Sequence, residues 1–223
     1  MRGAQVPWLV LYPPGHGPGD HLPVLITLHG TGGNQGTPWL LRWPETSRLL
    51  LQEGQMPFAC AGVKGGDTWW RPHPDGLDSA AMVSDELTAE LERLNLDVSR
   101  PALYGYSMGG VGAIYLAENT WRGRLSSVVI ASTPFFSSYD ESMGAYGSAA
   151  EFAAYEIRSR WGNLQGTPVR VDIGDRDPFL QQNTSFLAPA RPSPELHIRP
   201  GGHDPAFWSG VALEQLRFVA AHL

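Results

Sequence analysis

Three side chains in this sequence have the types and the chain order needed for nucleophilic attack on a carbonyl group. Ser107 lies in a Gly-x-Ser-x-Gly pentapeptide, residues 105–109, and Asp177 and His203 follow it. A serine hydroxyl is a weak nucleophile at neutral pH and needs a base within hydrogen-bond reach. Histidine takes and returns a proton near neutrality, and a carboxylate fixes its tautomer and stabilises the imidazolium. The order Ser, Asp, His therefore predicts a catalytic triad of Ser107, Asp177 and His203.

The pentapeptide also predicts a sharp strand-to-helix turn. A short apolar run precedes it, and a helix of small residues, 111–117, follows it. In such a turn a side chain at position 105 or 109 would collide with the neighbouring strand or with the new helix. A glycine-rich turn with an exposed serine has the same pattern, so the pentapeptide needs support from the rest of the chain.

Acyl transfer also requires hydrogen-bond donors for the developing oxyanion. We expect one donor to be the backbone amide of Met108, directly after the nucleophile. The second is expected from the glycine-rich run at residues 29–33, with the Thr31 amide as the best candidate. The alternative for this run is an ordinary glycine turn.

The choice of acid and base leaves alternatives open. Asp172, Asp175 and Asp177 cluster at the end of one predicted strand. Asp172 falls within that strand, and Asp177 has the better reach beyond the turn glycine. The alternative acid is Asp175, whose other possible role is to cap the loop. His203 is the candidate base because it follows the last strand, whereas His29 is expected to shape its turn.

The elements that must position these residues alternate between strands and helices. Strands are predicted at residues 6–12, 22–28, 57–63, 101–104, 126–131, 169–173 and 195–199, and helices at 39–52, 78–94, 109–119, 148–161 and 204–223. This alternation indicates an α/β fold with a mainly parallel sheet covered on both faces. The candidate loops all follow strands, where chemistry gathers in such sheets. We expect one domain, residues 1–223, with a lid-like helical insertion at about 134–166.

Composition excludes several other classes of protein. The 223 residues carry a net charge of −6 without a basic cluster, which argues against nucleic-acid and anionic-membrane partners. No apolar run approaches the length of a membrane span, and no secretion signal is visible. The single cysteine, Cys60, excludes an internal disulfide framework and is expected to be buried and inert. We expect a cytoplasmic monomer or homodimer.

Five motifs together resemble the "Putative esterase" branch of the α/β-hydrolase superfamily. This branch includes esterase D (S-formylglutathione hydrolase), feruloyl and acetylxylan esterases, and mycolyltransferases. The motifs lie at residues 28–33 (LHGTGG), 66–70 (GDTWW), 105–113 (GYSMGGVGA), 174–179 (GDRDPF) and 201–204 (GGHD). The resemblance implies a Ser107, Asp177 and His203 triad that acts on carboxylic esters or thioesters without a metal or cofactor. The chain departs from the branch in its short length, in a truncated start of the sheet and in lacking a secretion signal.

Several aromatic residues lie in or beside the loops at the predicted active edge. They are candidates for an apolar acyl or aromatic pocket, and the alternative for each is packing of the insertion and helices. The candidates are Trp39, Trp69, Trp70, Phe135, Phe136, Trp161 and Trp208.

Three functions remain open at this stage. The first is a serine carboxylic ester hydrolase with an acyl-enzyme intermediate and a small ester substrate. The second is an acyltransferase or thioesterase that uses the same triad. The third is a non-catalytic binding module on a hydrolase scaffold, which would have no need of the complete triad with its oxyanion loop.

Overall fold

A seven-stranded sheet forms the centre of the computed structural model, which describes residues 5–223. Its strands are β1 (Trp8–Leu11), β2 (Pro23–Leu28), β3 (Ala59–Val63), β4 (Asp97–Tyr106), β5 (Val128–Ala131), β6 (Val169–Gly174) and β7 (Glu195–Arg199). Their spatial order is β1-β3-β2-β4-β5-β6-β7. β1 runs antiparallel to β3, and every other neighbouring pair is parallel. The predicted α/β fold with a mainly parallel sheet is confirmed.

The helices lie between these strands and after the last of them. They are α1 (Thr37–Leu40), α2 (Trp43–Gln52), α3 (Ser79–Ala81), α4 (Thr88–Arg93), α5 (Met108–Glu118), α6 (Ala149–Tyr155), α7 (Leu180–Leu187), α8 (Pro205–Gly210) and α9 (Ala212–Ala220). A π-helical segment, Met82–Leu87, joins α3 to α4, so the predicted helix at 78–94 is continuous. A 3₁₀ turn, Trp161–Leu164, precedes β6.

Both faces of the sheet are buried. Ile26 and Leu28 of β2 belong to the same buried cluster as Ile114 of α5. Leu25, the residue before Ile26, lies in a second cluster with Leu216 of α9. This alternation follows from the two-residue side-chain period of a strand. β2 is therefore a buried strand with helices on both sides, in agreement with the predicted sheet covered on both faces.

The register brings the carboxyl ends of the parallel strands to one edge. Leu28 of β2 pairs with Gly105 of β4, and Gly105 pairs with Ile130 of β5. The loops that follow β2, β4, β5, β6 and β7 consequently start side by side. This edge is where the candidate catalytic residues were expected.

The helices predicted at 39–52 and 148–161 differ in their bounds. The first is interrupted at Arg42, which has a left-handed φ of 52°, and Pro44 lies in the first turn of α2, where its missing N–H breaks no helical bond. The helix predicted over 148–161 ends at Tyr155, because the Glu156 carboxylate accepts the amides of Arg158 and Ser159 and closes a loop instead.

The closing helix is split into α8 and α9 after Gly210, a residue that weakens helices. Its start is as predicted, since Asp204 Oδ1 accepts a hydrogen bond of 2.9 Å from the Phe207 amide. Helix α7 was not predicted, because its polar sequence carries no clear apolar stripe.

Two further expectations concern the core and membranes. Cys60 is fully buried, and burial raises the pKa of its thiol well above the ordinary value. Within residues 5–223, no helix has the length and apolar character required to cross a bilayer.

Glu118 is a buried carboxyl group at the last turn of α5. It is 1% exposed, and neither carboxylate oxygen has a hydrogen-bond partner among the described residues. Burial, reinforced by the nearby Glu156 and opposed by Arg160, raises its pKa to about 9. The group is therefore neutral at physiological pH.

Replacing Glu118 with glutamine is expected to flatten the pH dependence of stability. The unfolded chain loses this proton near the ordinary pKa of 4.5, whereas the folded protein keeps it to about pH 9. The wild type therefore loses stability as the pH rises between these values. Glutamine has the same shape and no such proton to lose. Urea unfolding at pH 5 and pH 8.5 measures the effect, with the exposed Glu92→Gln as control. Equal pH slopes for the wild type and Glu118→Gln would contradict the assignment.

Candidate active site

Ser107 occupies the sharp turn between β4 and α5. Its backbone has φ 52° and ψ −123°, a conformation that is costly for a residue with a side chain and typical of strained functional turns. Its amide donates to Ala131 O at 2.9 Å, which ties the turn to the end of β5. The side chain is thereby held at the carboxyl edge of the sheet.

The flanking glycines are required for steric reasons. A Cβ on Gly105 would lie 2.1 Å from Gly109 O in the new helix, and a Cβ on Gly109 would lie 2.1 Å from Leu28 O at the end of β2. Real Cβ atoms do not approach a carbonyl oxygen this closely. The collisions expected from the pentapeptide are therefore present, one with the helix and one with the neighbouring strand.

The structure brings Ser107, His203 and Asp177 into one hydrogen-bonded chain. His203 Nε2 lies 3.0 Å from Ser107 Oγ, and His203 Nδ1 lies 3.0 Å from Asp177 Oδ2. An ionised carboxylate only accepts, so the network assigns the proton of the neutral imidazole to Nδ1. Nε2 is then free to accept the proton of the serine hydroxyl. This arrangement can activate Ser107 as a nucleophile.

The surroundings of Asp177 favour its ionised form. Its side chain is fully buried, which by itself would raise the pKa, but hydrogen bonds from His203, Ser132 and the Phe179 amide outweigh this effect. The pKa of Asp177 is consequently lower than the ordinary value. A carboxylate that stays ionised beside the imidazole can stabilise a positive charge there.

The other two carboxylates of the cluster have different partners. Asp175 Oδ1 accepts from the Gly201 amide at 3.0 Å and lies near the Arg176 guanidinium. Asp172 is buried and paired with Arg170 at 2.8 Å. Asp175 therefore caps the loop that leads to His203, and only Asp177 of the three contacts the imidazole.

Aromatic rings fix the orientation of His203. The imidazole lies edge-on between Phe179, with ring centroids 5.2 Å apart, and Trp208, at 5.3 Å. The Trp208 indole N–H donates to Ser132 Oγ at 2.9 Å, and Ser132 also hydrogen-bonds Asp177. Sequence reasoning missed Ser132 and assigned no role to Phe179. Ser132 could have been found as a polar residue that directly follows the buried strand β5.

The loop that carries Thr31 lies against Ser107. A Cβ on Gly30, the residue before Thr31, would lie 3.2 Å from Ser107 Cβ. Among residues 5–223, no acceptor takes a hydrogen bond from the Thr31 or Met108 amide. Both candidate donors are thus available to a bound ligand.

Hydrogen bonds from the loop after β3 hold the Thr31 loop in place. The Gly65 amide donates to His29 Nε2 at 3.0 Å, and the Trp70 indole donates to His29 O at 3.0 Å. The Gly32 amide donates to Asp67 Oδ1 at 2.7 Å. Burial lowers the pKa of His29, so its imidazole is neutral and serves as an acceptor within the turn. His29 has the turn-shaping position expected for it.

A cavity of about 430 Å³ opens beside Ser107 and His203. Its volume is within the range of small-molecule sites. Beyond Ser107, His203 and Thr31, its walls are apolar and consist of Trp69, Pro134, Phe136, Met143, Pro178 and Phe179. No Lys, Arg, Asp or Glu is among these lining residues.

The predicted aromatic residues divide into three groups. Trp69 and Phe136 line the cavity, and their rings lie 5.9 Å apart. Trp208 packs against the His203 imidazole and is not among the residues that line the cavity. The others are not brought to the cavity: Trp39 is exposed on α1, while Trp70, Phe135 and Trp161 are buried in packing contacts. Their size and position in the chain could not distinguish packing from lining.

The sequence matches one family model over residues 3–209, and the description of that family is Putative esterase. The chain belongs to this family. It is accordingly an enzyme that acts as a carboxylic ester hydrolase. No curated protein matches the sequence.

Solved structures share the fold of this esterase at low identity. An S-formylglutathione hydrolase from Agrobacterium tumefaciens is 21% identical, with a TM-score of 0.77 over 98% of this chain and 90% of its own. A ferulic acid esterase is 20% identical, with a TM-score of 0.72, and the match covers 91% of this chain and 85% of the esterase. The fluorophosphonate-binding serine hydrolase F from Staphylococcus aureus is 17% identical, with a TM-score of 0.75 over 97% and 99%. These similarities establish the α/β-hydrolase fold.

Proposed function

We propose that this esterase is a serine carboxylesterase that hydrolyses small, uncharged esters through a covalent acyl-enzyme. The observation that carries the proposal is the unbroken hydrogen-bonded chain from Ser107 through His203 to Asp177, which opens directly onto an apolar cavity. A chain of this kind has no use in a protein that only binds its ligand.

In the first half-reaction Ser107 Oγ attacks the ester carbonyl carbon. The serine proton moves to His203 Nε2 across the 3.0 Å hydrogen bond, while Asp177 stabilises the imidazolium that forms. The carbonyl oxygen becomes an oxyanion, and the free amides of Thr31 and Met108 are its proposed donors. His203 then returns the proton to the leaving alcohol as the carbon–oxygen bond breaks.

In the second half-reaction water replaces the alcohol. His203 Nε2 takes a proton from the water as its oxygen attacks the acyl carbon, and the same two amides hold the second oxyanion. The proton passes back to Ser107 Oγ when the tetrahedral intermediate collapses to the free acid. Protons balance over the cycle, which consumes one ester and one water and yields one acid and one alcohol.

The lining of the cavity supports an uncharged substrate. A charged group in this apolar space would lose its hydration. No Lys, Arg, Asp or Glu among the lining residues could compensate for that loss. The acyl and alcohol portions that fit about 430 Å³ are of ordinary small-molecule size. Trp69 and Phe136 are the proposed aromatic contacts.

The test is pre-steady-state hydrolysis of 4-nitrophenyl acetate combined with a serine-directed fluorophosphonate probe. We expect a burst of nitrophenol equal to the enzyme concentration, followed by slower turnover, because the acyl-enzyme accumulates. The probe should label Ser107 stoichiometrically and abolish both phases. Turnover that persists after complete labelling, or an absence of labelling in an active enzyme, would overturn the serine mechanism.

A further inference from the structure

Arg71 is a buried cation that connects the loop after β3 to the insertion, residues 134–166. It is 2% exposed. Its guanidinium forms a salt bridge with Glu151 of the insertion and donates to Ala145 O at 2.8 Å. The guanidinium carbon also lies 4.9 Å from the Tyr146 ring centroid. The catalytic mechanism makes no use of this cluster.

Arg71 contacts several residues of the insertion, and some of these residues also contact one another. Its guanidinium carbon lies 5.5 Å from the Tyr155 ring centroid, so two aromatic rings accompany it. The Glu151 carboxylate also accepts the Gly147 amide, which fixes the start of α6. Arg71 is thus bound through four insertion residues at positions 145, 146, 151 and 155.

This network ends next to the cavity. Met143 lines the cavity, although 77% of it is exposed, and it therefore lies at the cavity mouth. It has a left-handed φ of 54°, and the following Gly144 has a φ of 79°. The Ala145 amide donates to Ser142 O at 2.8 Å and closes this turn. Glycine adopts such a φ freely, whereas for Met143 the conformation is costly and depends on support from the surrounding structure. Ala145, whose carbonyl Arg71 binds, is the last residue of that turn.

We propose that Arg71 is a positioning residue for substrate selectivity, which holds Met143 at the cavity mouth and so sets the preference for apolar acyl groups. The proposal rests on the proposed ester hydrolysis at Ser107. Arg71 touches neither the substrate space nor the triad, and it acts through Ala145 and the turn at Met143.

Removal of the guanidinium leaves Glu151 without its cationic partner and Ala145 O without its donor. Glu151 is partly buried and then keeps only the Gly147 amide, so its carboxylate draws water toward itself and the segment around it opens. Met143 then leaves the mouth of the cavity. A long apolar acyl chain loses a contact that an acetyl group does not reach.

The experiment compares Arg71→Met with the wild type on two esters that share one leaving group, 4-nitrophenyl acetate and 4-nitrophenyl hexanoate. We expect the ratio of kcat/KM for hexanoate to that for acetate to fall about tenfold, through a higher KM for hexanoate. Hydrogen exchange of residues 139–155 should accelerate in the same variant. Arg71→Lys keeps the positive charge but has fewer hydrogen-bond donors, so its hexanoate-to-acetate ratio should lie between those of Arg71→Met and the wild type.

A double-mutant cycle tests the route through Met143. Met143→Ala should lower the same ratio, and Arg71→Met/Met143→Ala should lower it no further than the larger single effect. Arg217→Met is the matched control, because it removes a salt bridge between α9 and Glu53, the residue that follows α2, outside the cavity lining. The control should leave the ratio unchanged.

The outcomes separate this proposal from the proposed function. A wild type that hydrolyses neither ester refutes the proposed hydrolysis of small, uncharged esters. A wild type that hydrolyses both, with Arg71→Met lowering kcat equally for each, refutes the positioning role. Should Arg71→Met fail to fold, Glu151→Gln removes the ion pair while retaining the Ala145 hydrogen bond. An unchanged ratio in both Glu151→Gln and Met143→Ala would then overturn the proposal.

Discussion

Replacing Ser107 with alanine is expected to lower kcat for an activated ester by about 10⁴- to 10⁶-fold. The variant lacks the atom that attacks the carbonyl carbon, and His203 Nε2 loses the hydroxyl from which it takes a proton. Residual turnover should come from the Thr31 and Met108 amides and from binding alone. Steady-state kinetics with 4-nitrophenyl acetate measure the loss.

The fold should survive this substitution. Alanine retains the Cβ and meets the same φ of 52° that Ser107 already adopts, so thermal unfolding should change little. Ser137→Ala is the matched control, because Ser137 is an exposed serine of the insertion whose hydroxyl bonds Glu141. Ser107→Ala turnover within about tenfold of the wild type would exclude Ser107 as the nucleophile.

The second large effect concerns the acid. Asp177→Asn is expected to lower kcat about 10⁴-fold, because the asparagine amide turned toward His203 Nδ1 would favour the tautomer with its proton on Nε2. That tautomer cannot accept the serine proton. Asp175→Asn should stay within a few-fold of the wild type, since its side-chain oxygen can still accept from the Gly201 amide.

These two variants form a matched pair. Both remove one negative charge from the same loop, and their positions differ by two residues. General electrostatic effects should be similar, so a difference in kcat isolates the contact with the imidazole. A larger loss in Asp175→Asn than in Asp177→Asn would reverse the proposed assignment of the acid.

Much of the fold could be predicted because its patterns are local. The continuous apolar run of β2 identifies a buried strand, and the alternation of strands with helices leads to a mainly parallel sheet. Helix bounds were less accurate where a side chain competed with the backbone. Glu156 ends α6 in this way, because its carboxylate accepts the backbone amides of Arg158 and Ser159 and closes a loop.

The parts of the site that could be predicted are those where steric requirements restrict the residue type. Glycines at 105 and 109 are needed because a strand, a turn and a helix meet within five residues. Ser132 was missed because its role depends on Trp208 and Asp177, which are 76 and 45 positions away in the chain. The first of these contacts exists only after α8 has packed against the end of β5.

By itself the sequence determined the order of Ser107, Asp177 and His203, the elbow glycines and the strands that these residues follow. Only the tertiary structure decided which of three neighbouring aspartates contacts the imidazole and which aromatic rings line the cavity. It also revealed the salt bridge between Arg71 and Glu151 across 80 positions of the chain. The physical reason is that turns and strands are specified by neighbouring residues, whereas the direction of a side chain at a loop depends on elements that pack from distant parts of the chain.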